Sequence, residues 1–307
     1  MELDGAAKAV LDALVRFGIP AFEDTTPENA RAAYAALRNP NLPLTDVAEV
    51  RDLDADGVPV KVFVPEGTGP FPALVWIHGG GWVIGSATQS EPLTRELAHL
   101  AGCVVVSVDY RLAPEHRYPA ASDDALAATR WTIANAASLG IDLGRVAVGG
   151  DSAGGHLAAI VAQAMPTDLA HQVLVYPVVD MDWSPYPSSV ENAHGFLLHT
   201  ASMTWFREHY LGATGASWTD PTVSPIHAAD EVLATVPPAT VITAGFDPLR
   251  DHGSAYAERL RRNGVDVVHD HYAAQIHGFF GMGAAIPDGA TAVARTARRL
   301  REVFGTA

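Results

Sequence analysis

Short apolar runs alternate with segments of helical periodicity from residue 73 onward, and this alternation constrains the fold more than any other feature. Apolar runs of this length are typical of strands that are buried on both faces. Strands and helices in alternation predict a mostly parallel sheet with helices on both faces, which is an α/β fold. The predicted strands are 73–77, 104–108, 145–148, 173–176, 240–243 and 265–271, with predicted helices at 91–101, 122–137, after residue 152 and at the C-terminus.

Two regions depart from the alternation. Two amphipathic helices, within 1–18 and 27–38, precede any strand, and residues 180–225 are rich in Pro, Ser, Trp and Tyr with one helical piece at 201–210. An insertion after a strand lies over the edge at which open α/β sheets bind ligands, so we interpret both regions as a lid. The predicted divisions are N-terminal cap helices at 1–44, core at 45–179, cap insertion at 180–225 and core again at 226–307. Strands 46–53 and 58–64 form a predicted hairpin around the turn 54–57.

The composition favours a soluble globular protein and argues against a nucleic-acid partner. Thirty-five acidic and 20 basic residues give a formal net charge of −15, which disfavours nucleic acid and anionic membrane surfaces. Cys103 is the only cysteine, so an intrachain disulfide is excluded. The N-terminus lacks the features of a signal peptide, and no run approaches the roughly 18–20 apolar residues of a membrane span. We therefore expect a cytoplasmic protein.

Residues 150–154 read Gly-Asp-Ser-Ala-Gly, between a predicted strand and a predicted helix. A nucleophilic serine at such a sharp turn needs glycine two residues away on either side, because the backbones crowd there. The N–H group after the serine then lies at a helix N-terminus, where it can face a developing oxyanion. The five residues alone are weak evidence, since a polar turn would have the same pattern.

The rest of the chain offers each partner that a nucleophilic Ser152 requires: oxyanion donors, a base and an acid. After a predicted strand and His78, the glycines at 79–81 allow backbone N–H groups to approach a ligand. Asp247 lies at the carboxyl end of strand 240–243, and His277 lies on a loop after the last predicted strand. The order Ser152, Asp247, His277 is the nucleophile–acid–base order of α/β hydrolases.

Other residues compete for these roles. His156 lies four residues after the serine on the same helical face, but it would sit beneath the turn while the serine points out of it. His252 and His271 fall on a predicted helix and strand and are more typical of packing or surface positions. Asp251 lies a helical turn beyond the candidate acid, where it can be a charge that favours the helix dipole.

Together, these motifs resemble the bacterial hormone-sensitive-lipase family of carboxylesterases (family IV), in the subgroup written GDSAG. The resemblance rests on HGGGW at 78–82, DYRLAPE at 109–115, GDSAGG at 150–155, DPLRD at 247–251 and HGF at 277–279. It covers the chain from about residue 45 to the C-terminus and extends into the lid through 191–198. Two departures are His156, where asparagine is usual, and the short segment 164–168.

The resemblance implies an α/β-hydrolase fold with a helical cap, and ester hydrolysis through an acyl-enzyme without a metal or organic cofactor. By motif position, Gly80, Gly81 and Ala153 would donate N–H groups to the oxyanion, and His78 would brace the glycine loop. A structural charged network would be formed by Asp109, Arg111 and Glu115. The family also suggests a homodimer.

The expected substrate is a small-molecule ester with a short- to medium-chain acyl group, because a capped pocket is closed. Apolar side chains of the cap and loops are candidates for the pocket wall, although they could equally be ordinary core: Trp82, Phe196, Leu197, Leu198, Trp205, Phe206 and Phe279. Two alternatives stay open at this stage. One is an aryl-amide deacetylase or amidase on the same triad. The other is an inert ligand receptor like the plant gibberellin receptors, which lack the base histidine that is present here as His277.

Overall fold

Within residues 2–37 and 43–307, which the computed structural model describes, eight strands form one sheet. The strands are β1 (Glu49–Ala55), β2 (Val58–Val64), β3 (Phe71–Ile77), β4 (Val104–Val108), β5 (Ile141–Asp151), β6 (His171–Val175), β7 (Ala239–Phe246) and β8 (Val267–Ile276). Their order across the sheet is β1-β2-β4-β3-β5-β6-β7-β8. The pairs β1–β2 and β2–β4 are antiparallel, and the pairs from β4 to β8 are parallel. The predicted mostly parallel α/β sheet is therefore confirmed.

Helices pack on both faces of the sheet. They are α1 (Gly5–Arg16), α2 (Pro27–Ala36), α3 (Glu91–Ala101), α4 (Ala120–Ala134), α5 (Ala136–Leu139), α6 (Ala153–Ala164), α7 (Ser188–Glu191), α8 (Thr200–Tyr210), α9 (Asp230–Leu233), α10 (Arg250–Arg262) and α11 (Pro287–Phe304). None of the helices in the described parts of the chain combines the length and the apolar character that a bilayer crossing requires.

The side chains of β3 show how one strand serves two cores. Ala73, Val75 and Ile77 belong to the core under α4, α6 and α10, whereas Leu74 and Trp76 belong to the core under α3 and α11. The division follows from the two-residue period of a strand, whose successive side chains point to opposite faces. Each fully buried aliphatic side chain contributes about 1.5–3 kcal/mol to stability.

The predicted hairpin between β1 and β2 is present, and its turn geometry explains why Asp and Gly stand at residues 56 and 57. Ala55 pairs with Val58, and the two residues between them, Asp56 and Gly57, have φ values of 54° and 98°. Positive φ at both central positions matches the twist of the flanking strands, which is why Asp-Gly favours such turns. The side chain of Asp54 accepts a hydrogen bond of 2.7 Å from the Gly57 N–H group.

The N-terminal segment forms two capped helices that are fastened to the core. The side chain of Asp4 caps α1, and Thr26 caps α2 just before Pro27. Arg31 of α2 makes a bidentate ion pair with Glu115, with distances of 2.8 and 2.6 Å, and donates to two core carbonyl groups. Of the predicted N-terminal region, residues 1 and 38–42 lie outside the described residues.

The insertion contains more helix than the sequence predicts. The predicted helix 201–210 is α8, while α7 was not predicted because four residues are too few to show a period. Strand β8 also runs to Ile276, five residues beyond its predicted end, because residues 272–276 pair with β7 without an apolar run. The divisions that we place at residues 44, 179 and 225 stay predictions.

Candidate active site

Ser152 occupies a strained turn between β5 and α6. Its φ and ψ are 55° and −117°, a backbone conformation that a non-glycine residue adopts only when its surroundings enforce it. A hydrogen bond of 2.8 Å from the Ser152 N–H group to Val175 holds the turn. A Cβ atom on Gly150 would lie 2.4 Å from the Gly154 carbonyl carbon, and one on Gly154 would lie 1.9 Å from the Ile77 oxygen. Backbone crowding therefore accounts for both glycines.

The structure brings together the three residues that the sequence singled out. The Ser152 hydroxyl lies 3.0 Å from His277 Nε2, and His277 Nδ1 lies 2.8 Å from Asp247 Oδ2. Asp247 is fully buried, and its other oxygen accepts a 2.8 Å hydrogen bond from the Leu249 N–H group. Because an ionised carboxylate can only accept hydrogen bonds, Nδ1 carries the ring proton and Nε2 is left as the acceptor for the serine hydroxyl.

The glycine loop lies beside Ser152 at the end of β3. Gly80 and Gly81 line a cavity together with Ser152 and His277, at φ values of 117° and 57°. Added Cβ atoms would lie 2.2 Å from the Ile84 oxygen at Gly80 and 2.2 Å from the Phe206 ring at Gly81. Among the described residues, no protein acceptor takes the N–H groups of Gly80, Gly81 or the first residue of α6, Ala153. These donors are therefore available to a ligand.

Asp151 connects the glycine loop to the serine turn, a role that the sequence did not reveal. Its side chain accepts a 3.1 Å hydrogen bond from the Gly79 N–H group, and a Cβ on Gly79 would lie 2.3 Å from the same carboxylate. Burial raises the pKa of Asp151 to about 6, although the Gly79 hydrogen bond and His277 act in the opposite direction. The one signal in the sequence was its position directly before the serine.

His78 packs behind the glycine loop. Its Nδ1 atom lies 2.7 Å from the Gly79 oxygen, and its ring stacks on Tyr110 at 4.2 Å between centroids. The Tyr110 hydroxyl donates a 2.9 Å hydrogen bond to the His78 carbonyl oxygen. Burial lowers the pKa of His78, so the ring is a neutral support in this loop.

His156 does not reach Ser152 and supports the pocket wall instead. The Trp82 indole N–H group donates to His156 Nδ1 at 3.2 Å, and His156 Nε2–H donates to the Val223 oxygen at 2.9 Å. Burial lowers the pKa of His156 to about 4, which keeps the ring neutral. Trp82 in turn stacks on Tyr210 of α8, with centroids 4.5 Å apart and planes 8° from parallel. His156 therefore fixes the orientation of Trp82.

The three charged residues of the motif at 109–115, Asp109, Arg111 and Glu115, do not form one network. Asp109 accepts a 3.0 Å hydrogen bond from the Ala87 N–H group, and Arg111 pairs with Asp124 at 2.7 Å. Glu115 makes the ion pair with α2 described above. The expectation of a shared network is therefore wrong, because each side chain points to a different element.

The cap insertion is tied to the loop of the acid. The Asn192 side chain donates a 3.1 Å hydrogen bond to the Asp247 carbonyl oxygen. The Ser188 hydroxyl donates to the Pro248 oxygen at 2.7 Å, and the Ser188 N–H group donates to Asp251 at 2.8 Å. Asp251, the rival candidate for the acid, is thus occupied by the cap rather than by His277.

The remaining candidate histidines lie away from the serine. His252 is fully buried in α10, and His271 on β8 bonds the Thr243 hydroxyl at 2.9 Å. Burial raises the pKa of the Cys103 thiol to about 12. In the described part of the chain, no group of three or more His, Cys, Asp or Glu residues could hold a metal ion.

A cavity of about 630 Å³ opens above Ser152 and His277. Of the predicted wall residues, Trp82 and Leu198 line it, as do Leu197 and Phe206. The sequence placed the N-terminal helices in a lid but indicated none of their wall residues, because an apolar helix face does not reveal what it covers. The N-terminal segment contributes Val10, Leu14, Phe22, Tyr34, Leu37, Pro43, Leu44 and Thr45.

Three predicted wall residues do not line this cavity. Phe196 packs on Phe246, with ring centroids 5.2 Å apart. Trp205 packs against His209 at 4.3 Å, one turn along α8. Phe279 is fully buried in the core, 4.9 Å from the Tyr272 ring. In each case a neighbouring residue faces the cavity instead.

Comparison with known proteins agrees with this geometry. A family model described as alpha/beta hydrolase fold matches residues 74–281. The chain is 38% identical to carboxylesterase NlhH of Mycobacterium tuberculosis, over 99% of this chain and 97% of that protein. It is 40% identical to an ethyl acetate hydrolase of Pseudomonas putida, over 76% of this chain and 75% of that protein. The solved hyperthermophilic esterase of the archaeon Pyrobaculum calidifontis, 36% identical, superposes with a TM-score of 0.91 over 100% of both chains. The chain therefore belongs to the hormone-sensitive-lipase-like family of the α/β-hydrolase superfamily.

Proposed function

We propose that this chain, a carboxylic ester hydrolase, uses Ser152 as nucleophile, His277 as general base and Asp247 as the residue that orients the base. The observation that carries the proposal is the pair of linked hydrogen bonds, 3.0 Å from Ser152 Oγ to His277 Nε2 and 2.8 Å from His277 Nδ1 to Asp247. Nucleophile and base within hydrogen-bonding reach, with a third group orienting the base, are what covalent acyl transfer requires.

In the first half of the proposed reaction, Ser152 Oγ attacks the ester carbonyl carbon while His277 Nε2 takes the hydroxyl proton. The imidazolium that forms is stabilised by the buried carboxylate of Asp247, which stays ionised. The carbonyl oxygen becomes an oxyanion, and the free N–H groups of Gly80, Gly81 and Ala153 are the proposed donors. His277 then gives its proton to the leaving alkoxide oxygen as the bond from the carbonyl carbon to that oxygen breaks. The alcohol departs, and the acyl group stays on Ser152.

In the second half, a water molecule replaces the alcohol. His277 takes a proton from this water as it attacks the acyl carbon, and the same three N–H groups would stabilise the second oxyanion. Return of the proton to Ser152 Oγ releases the carboxylic acid. The strained φ of 55° at Ser152 supports this role, since it fixes the hydroxyl between the base and the donors.

The cavity favours short- to medium-chain acyl groups. Its volume of about 630 Å³ lies in the range of small-molecule pockets, and its walls come from the N-terminal helices, the core loops and the cap. Similarity to an ethyl acetate hydrolase supports the same size class. Turnover of p-nitrophenyl butyrate and octanoate should exceed that of the palmitate ester, and a preference for palmitate would contradict the proposal.

The proposal is tested by Ser152→Ala. We expect p-nitrophenyl butyrate turnover to fall to the background rate while the circular dichroism spectrum is unchanged. Ser138→Ala, at an exposed serine, is the matched control and should keep full activity. An organophosphate should label the unaltered protein and Ser138→Ala but not Ser152→Ala. Retained turnover in Ser152→Ala, or no labelling of the unaltered protein, would overturn the assignment.

The amidase alternative is separated by a matched pair of substrates. An amine leaves far less readily than an alcohol, so the ester of an aryl substrate should be hydrolysed and its anilide should not. Comparable rates on both would favour the deacetylase. Cytoplasmic location and a homodimer stay predictions, and size-exclusion chromatography with light scattering tests the dimer.

A further inference from the structure

The charged side chains that line the cavity are acidic. Apart from His277, they are Glu96 and Asp151, and no lysine or arginine of the described residues contributes to the wall. Asp151 already accepts a hydrogen bond from the Gly79 N–H group. Glu96 is therefore the carboxylate whose place in the cavity requires an explanation.

Glu96 belongs to the face of α3 that lines the cavity. Pro92, Leu93 and Glu96 lie on one face of α3, and they line the wall together with Gln89, which precedes the helix. The opposite face, which includes Ala98, is buried in the core. The wall is thus apolar at its middle and ends in an amide and a carboxylate.

No described residue neutralises Glu96. Its side chain has no hydrogen bond or ion pair with residues 2–37 or 43–307, and the adjacent Arg95 is turned away. The Arg95 guanidinium pairs with Glu91 at 2.9 Å and donates to the Thr45 oxygen at 3.3 Å. Burial raises the pKa of Glu96, as expected for a carboxylate that lacks a cationic partner.

Aromatic rings form much of the same cavity. The rings of seven side chains line it: Phe22, Tyr34, Trp82, Tyr176, Trp183, Phe206 and Phe280. The face of an aromatic ring attracts a cation through its quadrupole, and quaternary ammonium groups are commonly recognised by such rings. A ligand with a positive charge would therefore meet attractive groups on the walls and a carboxylate on α3.

We propose that the cavity selects esters that carry a quaternary ammonium group, and that Glu96 is a specificity-determining residue for this charge. The inference rests on the proposed function, because it concerns the substrate of the same Ser152 site. A cation would compensate the unpaired carboxylate, whereas a neutral group of equal shape would only fill space. A negative group would be repelled by both carboxylates.

The test compares choline butyrate with 3,3-dimethylbutyl butyrate, in which carbon replaces the charged nitrogen. The ratio of their kcat/KM values is divided by the ratio of their base-catalysed hydrolysis rates, which removes the difference in leaving group. We expect the corrected ratio to favour the choline ester and to fall about fivefold in Glu96→Gln, the change that a half-buried ion pair provides. The neutral ester is the reference within each variant, so a general effect of the substitution on turnover cancels from the ratio.

Two controls make the result specific. Glu66→Gln removes the same charge at an exposed position and should leave the ratio unchanged, which separates a local contact from the net charge of the protein. Raising the salt concentration from 10 to about 500 mM should lower the preference of the unaltered protein, because salt still partly screens a contact with a half-buried carboxylate. If Glu96→Gln does not fold, product inhibition of the unaltered protein gives the same information: choline should inhibit more strongly than 3,3-dimethylbutanol.

The inference is overturned if the corrected ratio does not favour the choline ester, or if Glu96→Gln keeps the ratio of the unaltered protein. Such a result leaves the proposed function intact as long as both esters need Ser152. Turnover of both esters by Ser152→Ala would instead refute the proposed function itself.

Discussion

Acidification from pH 8 to pH 5 should destabilise this protein strongly, because several histidines are buried in the neutral form. His156, His171 and His252 have no exposed surface. Burial lowers the pKa of these groups to about 4, about 3 and about 4, with Arg299 contributing at His171. A folded-state pKa below the ordinary 6.5 means that the unfolded chain binds more protons as the pH falls. The stability is therefore present above pH 6.5 and is lost toward pH 4.

The expected loss of unfolding free energy between pH 8 and pH 5 follows from these pKa values. At pH 5 a histidine in the unfolded chain is almost fully protonated, while each buried ring is still mostly neutral, which costs about 2 kcal/mol for each group. The three groups together reach about 6 kcal/mol. Asp151 acts in the opposite direction, because a pKa raised to about 6 favours the folded state as the pH falls. Asp151 adds only about 1–2 kcal/mol to the unfolding free energy at pH 5, which is less than the three histidines remove.

The assay is urea unfolding followed by tryptophan fluorescence at pH 8, 7, 6 and 5. His171→Gln is the informative variant, because His171 begins β6 whereas Ser152 follows the far, carboxyl end of the neighbouring β5. Among the described residues its side chain bonds only the Thr240 hydroxyl, at 2.9 Å, through a group that glutamine can imitate. The difference in unfolding free energy between pH 8 and pH 5 should shrink by about 2 kcal/mol in this variant. His99→Gln, at an exposed histidine, should leave the difference unchanged.

Two results would refute this reasoning. One is an unfolding free energy that varies by less than about 1 kcal/mol between pH 8 and pH 5, which would mean that the buried rings are protonated without cost. The other is an identical pH dependence in His171→Gln and in the unaltered protein, which would assign the acid sensitivity to other groups.

Three further predictions concern the site and its supports. Asp247→Asn should lower kcat by about 10⁴ with an unchanged circular dichroism spectrum, because an amide no longer holds the imidazole in the required tautomer. Gly81→Ala should lower kcat by at least about 10², because the methyl group would meet the Phe206 ring at 2.2 Å and displace the Gly81 N–H donor. The control is Gly215→Ala, which lies in open space at a similar φ of 72° and should keep activity. Arg31→Ala should cost about 1 kcal/mol or less in thermal unfolding, because Glu115 is half exposed, and should raise KM more than it lowers kcat. An unchanged KM in Arg31→Ala would mean that α2 does not shape the bound state.

Local sequence determined most of the elements but not their arrangement. Helix α3 begins and ends where the periodicity predicts, because Gly102 adopts a left-handed φ of 59° that stops the helix. The hairpin followed from its Asp-Gly turn. The order of β3 and β4 in the sheet depends on pairing between distant strands, and no local pattern carries it. Helix α7 was missed for a related reason, since it is held by contacts with the loop of Asp247 rather than by its own sequence.

In the candidate site too, some residues could be predicted from the sequence and others could not. Residue types at the ends of strands indicated Ser152, Asp247 and His277, because the requirements of the chemistry select them. The wall residues of the cavity were harder to predict from the sequence, because adjacent residues there have opposite surroundings. Phe280 lines the cavity, while Phe279 lies in the core. A sequence without a known backbone cannot decide which of two adjacent aromatic rings turns inward.

The hydrogen bonds from Ser188 and Asn192 to the loop of Asp247 limit how the cap can be exchanged or moved. A graft that replaces the whole insertion would remove the bonds to the Gly245, Asp247 and Pro248 carbonyl groups, which fix the backbone on both sides of the acid. The alignment of the imidazole would then suffer, even with every proposed catalytic residue in place. Grafts should therefore join beyond residue 192, and any opening of the cap should hinge on the segment between Asn192 and α8.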